Sequence, residues 1–229
     1  MFEQEFLQTM LLTFKLSFLT TLILLPLGIA LATLLDSTRS KFVILLEALI
    51  WMPLILPPSV LGFYLLVAFN KQNFLGKFLL EHFSFQLTFS FEGLVLASVI
   101  FSLPFMVNPI KNALSAIPSS IKEASYTLGK SKTYTLFFVL LPNIKSALLL
   151  GCVTSFAHTI GEFGVVMMIG GSRAGETKVA SIAIYEQVET LNYSLAHQYA
   201  LTLFIISFLS LCVIFYITRK YFDNSLKII

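Results

Sequence analysis

Few residues in this chain have the type and spacing to do chemistry. His158 and Glu162 stand four positions apart, which puts an imidazole and a carboxylate on one helical face as an acid/base pair. No nucleophile or metal set completes such a centre, since neither a His-Glu-x-x-His nor a Gly-x-Ser-x-Gly pattern occurs. His82, His158 and His197 are too scattered for metal-ligand spacing. Gly129-Lys130-Ser131 ends like a phosphate-binding loop, but Ala124 fills the place of its earlier glycine. What remains is a polar stretch, Glu123-Ala124-Ser125, then Gly129, Val139 and Leu141-Pro142, set between apolar runs.

Those runs dominate the chain. Of 229 residues, 57% are hydrophobic and 12% charged, and mean hydropathy is +0.87. Soluble domains carry roughly 25% charged residues. The composition therefore implies an all-α membrane protein, because backbone polar groups in hydrocarbon must be paired within each segment. The net charge of +3 is too small to imply nucleic acid. Cys152 and Cys212 lie inside apolar runs and give no disulfide framework.

Residues 1–229 read as a single transmembrane domain of about five spans. The first covers 14–35, with Pro26 and Gly28 as an expected kink. Ala30-Leu31-Ala32 resembles a signal cleavage site, yet Glu3 and Glu5 replace a basic leader and the apolar run exceeds a signal core, so retention is expected. The second covers 42–69 and holds Pro53, Pro57 and Pro58, then Ser59 and Gly62. Proline removes a backbone hydrogen bond and clashes with the preceding turn, so this span must bend or unwind. Such a break serves either as a packing kink or as a pathway lining. An amphipathic piece, residues 74–80, suits the interface. The third span covers 90–108, with a start expected near Leu87, and the fourth covers 141–168. A polar segment, 171–198, precedes the fifth at 199–217.

Basic residues order the loops. Arg39, Lys41, Lys111, Lys122, Lys130, Lys132, Arg219, Lys220 and Lys227 fall on one set, nine in all; Lys71, Lys77, Arg173 and Lys178 fall on the other, four in all. The positive-inside rule predicts the N-terminus outside, and the C-terminus and the 109–140 loop in the cytoplasm. Within that loop Ser119 or Ser120 can cap a short helix after Pro118, Glu123 suits its first turn, Ile121, Ala124 and Leu128 share a face, and Gly129 ends it. It has the form of a plug for another protein.

Here the chain resembles a family. Glu123-Ala124-Ser125, Gly129, Val139 and Leu141-Pro142 match the motif of bacterial ABC importer membrane subunits, with Ser for a second Ala and Val for Ile. The resemblance implies a coupling helix between the third and fourth spans that docks into a separate ATPase, with Glu123, Ala124, Ser125, Gly129, Leu141 and Pro142 as its motif residues. It implies no cofactor on this chain, ATP and Mg being used by the partner.

Further matches look like the molybdate/tungstate importer permeases: the Pro53 to Pro58 run, Phe74 to Gly76, Thr127 to Gly129, Gly161-Glu162-Phe163-Gly164 and Gly175-Glu176-Thr177. Sulfate and thiosulfate permeases are similar but tend to be longer. By this resemblance the partners are a cytoplasmic ATPase dimer, a second copy of the chain, an extracytoplasmic oxyanion-binding protein and membrane lipid, in the bacterial inner membrane. An intramembrane enzyme built on His158 and Glu162 is the alternative from another class.

A helix started at Pro142 puts Glu162 about 30 Å away, near the outer rim. There it is either a gate element, with Gly161 and Gly164 allowing close packing, or a solvated carboxylate. Pro53, Pro57, Pro58, Ser59, His158 and Phe163 complete the expected pathway or gate. Arg173, Gly175, Glu176 and Thr177 form an expected outer loop, where Arg173 and Lys178 either attract an oxyanion or are plain solvated charges.

Overall fold

The computed structural model describes residues 2–38 and 40–226, apart from the side chains of Phe2 and residues 217–226. Arg39 and Lys227, and the Arg219 and Lys220 side chains, lie outside the described residues. Every regular element among the described residues is helical. Three helices are individually long and apolar enough to cross a membrane, and two bent helix pairs qualify if each counts as one span.

Helix α1 (Phe2–Ser37) is continuous through Pro26. Gly28 allows close packing: a Cβ at that position would collide with Met106. The hydroxyls of Thr13, Ser17, Thr21 and Thr33 on this helix each bond back to the carbonyl four residues earlier. They satisfy themselves locally in an apolar setting.

The second expected span is two helices, α2 (Lys41–Ile55) and α3 (Pro58–Phe69), bent by 113°. The cause is local. Leu56 and Pro57 each precede a proline, and both adopt extended ψ values of 140° and 133°. Pro58 then opens α3 at a position where its missing N–H costs nothing. Pro53 is accommodated inside α2.

Helix α4 (Phe74–Phe83) includes the amphipathic piece and stops at Ser84 in a left-handed conformation. Helix α5 (Phe91–Ala116) begins at Phe91 rather than Leu87, because the Ser90 hydroxyl accepts from the Gly93 amide at 3.1 Å and caps it there. It also continues eight residues beyond the expected end at Asn108, through Pro104 and Pro109.

After α6 (Ser119–Thr127) comes a helical arm: α7 (Lys132–Thr135), a π turn (Leu136–Leu140) and α8 (Leu141–Asn143). Pro142 supplies no amide, and the Asn143 side chain donates to the Val139 carbonyl at 2.6 Å. The arm meets α9 (Lys145–Gly161) at 77°, the elbow being Ile144. The expected span 141–168 is therefore broken, and breaks again before α10 (Gly164–Gly170). Residues 171–198 are not merely a polar loop, since they contain α11 (Ala180–Glu189). The last helix, α12 (Tyr193–Leu226), starts six residues before Tyr199. Asn192 accepts from the Leu195 amide at its start.

Contacts at both ends fix directions. Lys15 lies over Phe91 and Asp36 bonds Ser115, so α1 and α5 run parallel. Thr154 bonds the Phe105 carbonyl and His158 bonds Ser102, so α9 runs antiparallel to α5. One core joins α1, α2, α5 and the α8–α9 elbow around Leu24, Met106, Ile110, Leu114 and Ile144. A second joins α1, α3, α5 and α10 around Leu16, Leu94, Val165 and Ile169. The first lies beside the root of α6, and the second surrounds the chain breaks.

Candidate functional sites

At the end of the molecule marked by Asp36, α6 is a nine-residue helix begun by Pro118. Pro118 itself is the cap position and no side chain bonds the free amides, so the capping expected of Ser119 or Ser120 is absent. Gly129 ends the helix at φ +72°, with its amide on the Tyr126 carbonyl and the Lys130 amide on the Ser125 carbonyl. Only glycine takes that conformation without steric cost.

The motif residues do not share one environment. Ser125 is 6% exposed and bonds Thr135 at 2.8 Å, tying α6 to α7. Leu141 is also buried, while Pro142 is exposed. Glu123, Ala124, Ile121 and Leu128 face outward, Leu128 at 76% exposure. Ser125 is thus an internal fastener, while its neighbours form the open face.

A second fastener carries no motif residue. Asp36, at the end of α1, accepts from Ser115 of α5 at 2.8 Å and from Lys122 of α6 at 2.7 Å. Close by, Lys111 of α5 pairs with Glu47 of α2. These two pairs connect α6 and its root on α5 to α1 and α2. The signal in the sequence was the lone acid closing α1 before a basic loop, but its lysine partner is 86 residues away. Behind α6 a groove of about 300 Å3 separates it from the elbow at Ile144.

The two breaks meet at the other site. An added Cβ on Gly164 would lie 2.7 Å from Pro58 Cβ, and one on Gly62 would lie 2.7 Å from Met168 Cβ. The N-terminal part of α3 therefore packs closely against α10, with room only for glycine at both contacts. Glu162 is 7% exposed, so it is not a solvated carboxylate. Its Oε1 accepts from the Val165 amide at 2.9 Å, and its carbonyl accepts from Ser181 of α11 at 2.6 Å. One residue thus caps α10 and anchors α11. The close packing expected at Gly161 is absent, since nothing lies within 4 Å of a Cβ there. Phe163 stacks obliquely on Tyr185. Pro53 is buried, whereas Pro57, Pro58 and Ser59 leave an exposed edge.

His158 does not join Glu162. Its Nδ1 is 3.1 Å from Ser102 Oγ, and its ring stacks on Phe105 at 4.1 Å. Ser102 also bonds Thr159 at 3.0 Å. Imidazole and carboxylate each have other partners, so the acid/base pair suggested by their spacing is not assembled.

The loop from Arg173 to Lys178 is a closed turn. The Arg173 carbonyl accepts from the amides of Glu176, Thr177 and Lys178, and Gly175 takes φ +77°. The Thr177 hydroxyl accepts from the Arg173 amide at 2.9 Å. The Arg173 guanidinium pairs with Glu176 at 2.9 Å and donates to the Phe89 carbonyl. Lys178 pairs with Glu186 at 2.6 Å and Glu5 at 3.1 Å. Burial lowers the Lys178 pKa, but hydrogen bonds and charge from those carboxylates outweigh it and leave the value raised. Both cations are engaged, Lys178 in largely covered pairs and Arg173 in an exposed one.

Residues 10–228 match the family model described as "Binding-protein-dependent transport system inner membrane component". The chain is 40% identical over 210 residues, 92% of each protein, to the molybdenum transport system permease protein ModB of Azotobacter vinelandii. It is 35% identical to that of Escherichia coli K12 over 80% of each. The sulfate transport system permease protein CysT of Salmonella typhimurium is 32% identical, over 74% of this chain and 61% of its own length. Among solved structures, an inward-facing MetNI methionine ABC transporter matches at a TM-score of 0.72 and 17% identity, covering 93% of this chain and 94% of that one. A bacterial alginate ABC transporter matches at 0.75 and 16%, covering 95% and 79%. The chain belongs to the binding-protein-dependent transport system inner membrane components: it is a multi-pass permease of an ABC importer, a translocation subunit and not an enzyme.

Proposed function

We propose that this permease forms the pathway of a molybdate importer. The observation that carries the substrate is its 40% identity, end to end, with a molybdenum permease, against 32% over a smaller share with a sulfate permease. Each of the two bent pairs counts as one span, giving five, with the N-terminus outside and α6 in the cytoplasm. The basic loops and the parallel course of α1 and α5 support that orientation.

On this reading α6 seats in a cytoplasmic ATPase dimer that uses ATP and Mg, with Glu123, Ala124 and Leu128 on the docking face. Two copies of the chain enclose the pathway at a two-fold axis, and the exposed edge from Pro57 to Ser59 lines it. An extracytoplasmic binding protein delivers the oxyanion near Arg173 to Thr177. Glu162 and the glycine contacts beside it act as the gate that follows α6. Purified complex in vesicles tests this: molybdate with its binding protein should stimulate ATP hydrolysis and uptake. Stimulation by sulfate and not by molybdate would overturn the substrate.

A further inference from the structure

A groove of about 590 Å3 runs between α1, α4 and α5, away from the coupling helix and the paired breaks. Its lining changes character along its length. Lys15 and Glu92 mark one end, and Leu19, Ile23, Leu96 and Val99 follow one to two turns further along the parallel helices. Leu79 and Phe85 flank it from α4 and the turn after it. Charge at one end and aliphatic walls beyond form the outline of an amphiphile.

The charged end is specific. Lys15 holds its ammonium 4.6 Å from the Phe91 ring centroid and makes no ion pair among the described residues. Glu92, one residue on, makes none either, although both line the same groove. Each is therefore open to a counter-ion. Glu92 sits in the first turn of α5, where the apolar helix begins, so this end lies at the level of lipid headgroups. A lysine at such a depth lays its methylenes on apolar surface and extends its head toward phosphate.

From this juxtaposition of one cation and one anion above an aliphatic groove, we infer that the site holds a zwitterionic phospholipid, phosphatidylethanolamine, with phosphate on Lys15, amine on Glu92 and an acyl chain along Leu19, Ile23 and Val99. An anionic lipid would satisfy Lys15 but face Glu92 unscreened. A purely apolar surface, such as the second groove between α1, α9 and α12 near Cys152 and Phe156, has no such discrimination.

The experiment uses the assembled, detergent-purified transporter incubated with dioleoyl phosphatidylethanolamine or dioleoyl phosphatidylglycerol and read by native mass spectrometry. Wild type should retain the ethanolamine lipid in preference. Lys15→Gln and Glu92→Gln should each lower that retention about two- to fivefold, the range of an exposed ion pair. Glu92→Lys should reverse the preference toward phosphatidylglycerol. Equal retention of the two lipids by wild type, or unchanged preference in all three variants, would overturn the site. So would efficient cross-linking of Leu19→Cys to Val99→Cys between two copies, because a second protein would then fill the groove.

Discussion

Helix α6 and the paired breaks are both short helical stretches in which a glycine is decisive, yet they are built oppositely. Helix α6 is fastened at two points, Ser125 to Thr135 and Lys122 to Asp36, and leaves Leu128 open with a groove behind it. The breaks press α3 against α10 with no room for a methyl group at Gly62 or Gly164. One region is an open face held by tethers, and the other is packed without slack. A tight interior conveys strain because it cannot compress, whereas a tethered surface helix conveys it only through its tethers.

The contrast can be broken most sharply at Gly164. Gly164→Leu should destabilise the protein by about 1–3 kcal/mol through overpacking and abolish uptake. Gly161→Ala, three residues away, should be tolerated. Thermal unfolding of the purified complex separates the two. Next, Glu162→Ala leaves the buried Val165 amide unpaired, at a cost of about 1–3 kcal/mol. Glu162→Gln keeps an acceptor, so ATPase assembly should survive while transport falls; wild-type uptake in Glu162→Gln would remove the gate.

At the coupling helix, Gly129→Leu forces a branched side chain into φ +72°, costing about 1–2 kcal/mol locally. ATP hydrolysis should then continue with less uptake per ATP, and an unchanged ratio would count against coupling through α6. A smaller effect is expected at the fastener. Asp36→Lys or Lys122→Asp should cost about 1 kcal/mol or less and lower the uptake-to-hydrolysis ratio. The double reversal should restore it, which a purely steric role would not.

The smallest effect is at Lys178. Its raised pKa means its ion pairs contribute fully below its ordinary value of 10.5 and are lost only as pH rises through the higher folded value. Unfolding temperature should thus be insensitive to Lys178→Met above that range, and lowered by the substitution at neutral pH.

How far the sequence discloses these features depends on the range of the interaction. Leu56-Pro57-Pro58 announces its own break, because the steric rule acts between neighbours. Gly129 likewise marks the end of α6 from its own conformational freedom. The difference between Gly161 and Gly164 is invisible along the chain, since it depends on Pro58, more than a hundred residues earlier. Glu162 was recognisable as unusual, but its duty as a cap follows from the break after Gly161, which hydropathy alone passed over as a continuous span. Spacing also misled at His158, where helical periodicity suggested Glu162 and packing chose Ser102. The Asp36 fastener requires the end of α1 to be brought against α5 and α6, a tertiary event that no local pattern encodes.

The Leu56-Pro57 joint has a mechanical consequence. Met52 holds the amide of Leu56, and Pro57 accepts from Val60 and Leu61, so each bond stays on its own side. No backbone hydrogen bond among the described residues crosses between them, and neither proline has an amide to offer. The missing donors prevent the two arms from fusing into one rod, while the fixed φ of both prolines and the extended ψ each imposes on the residue before it leave few torsions through which the angle between α2 and α3 could change. It is a preset bracket, bent by its own sequence and stiff in its torsions.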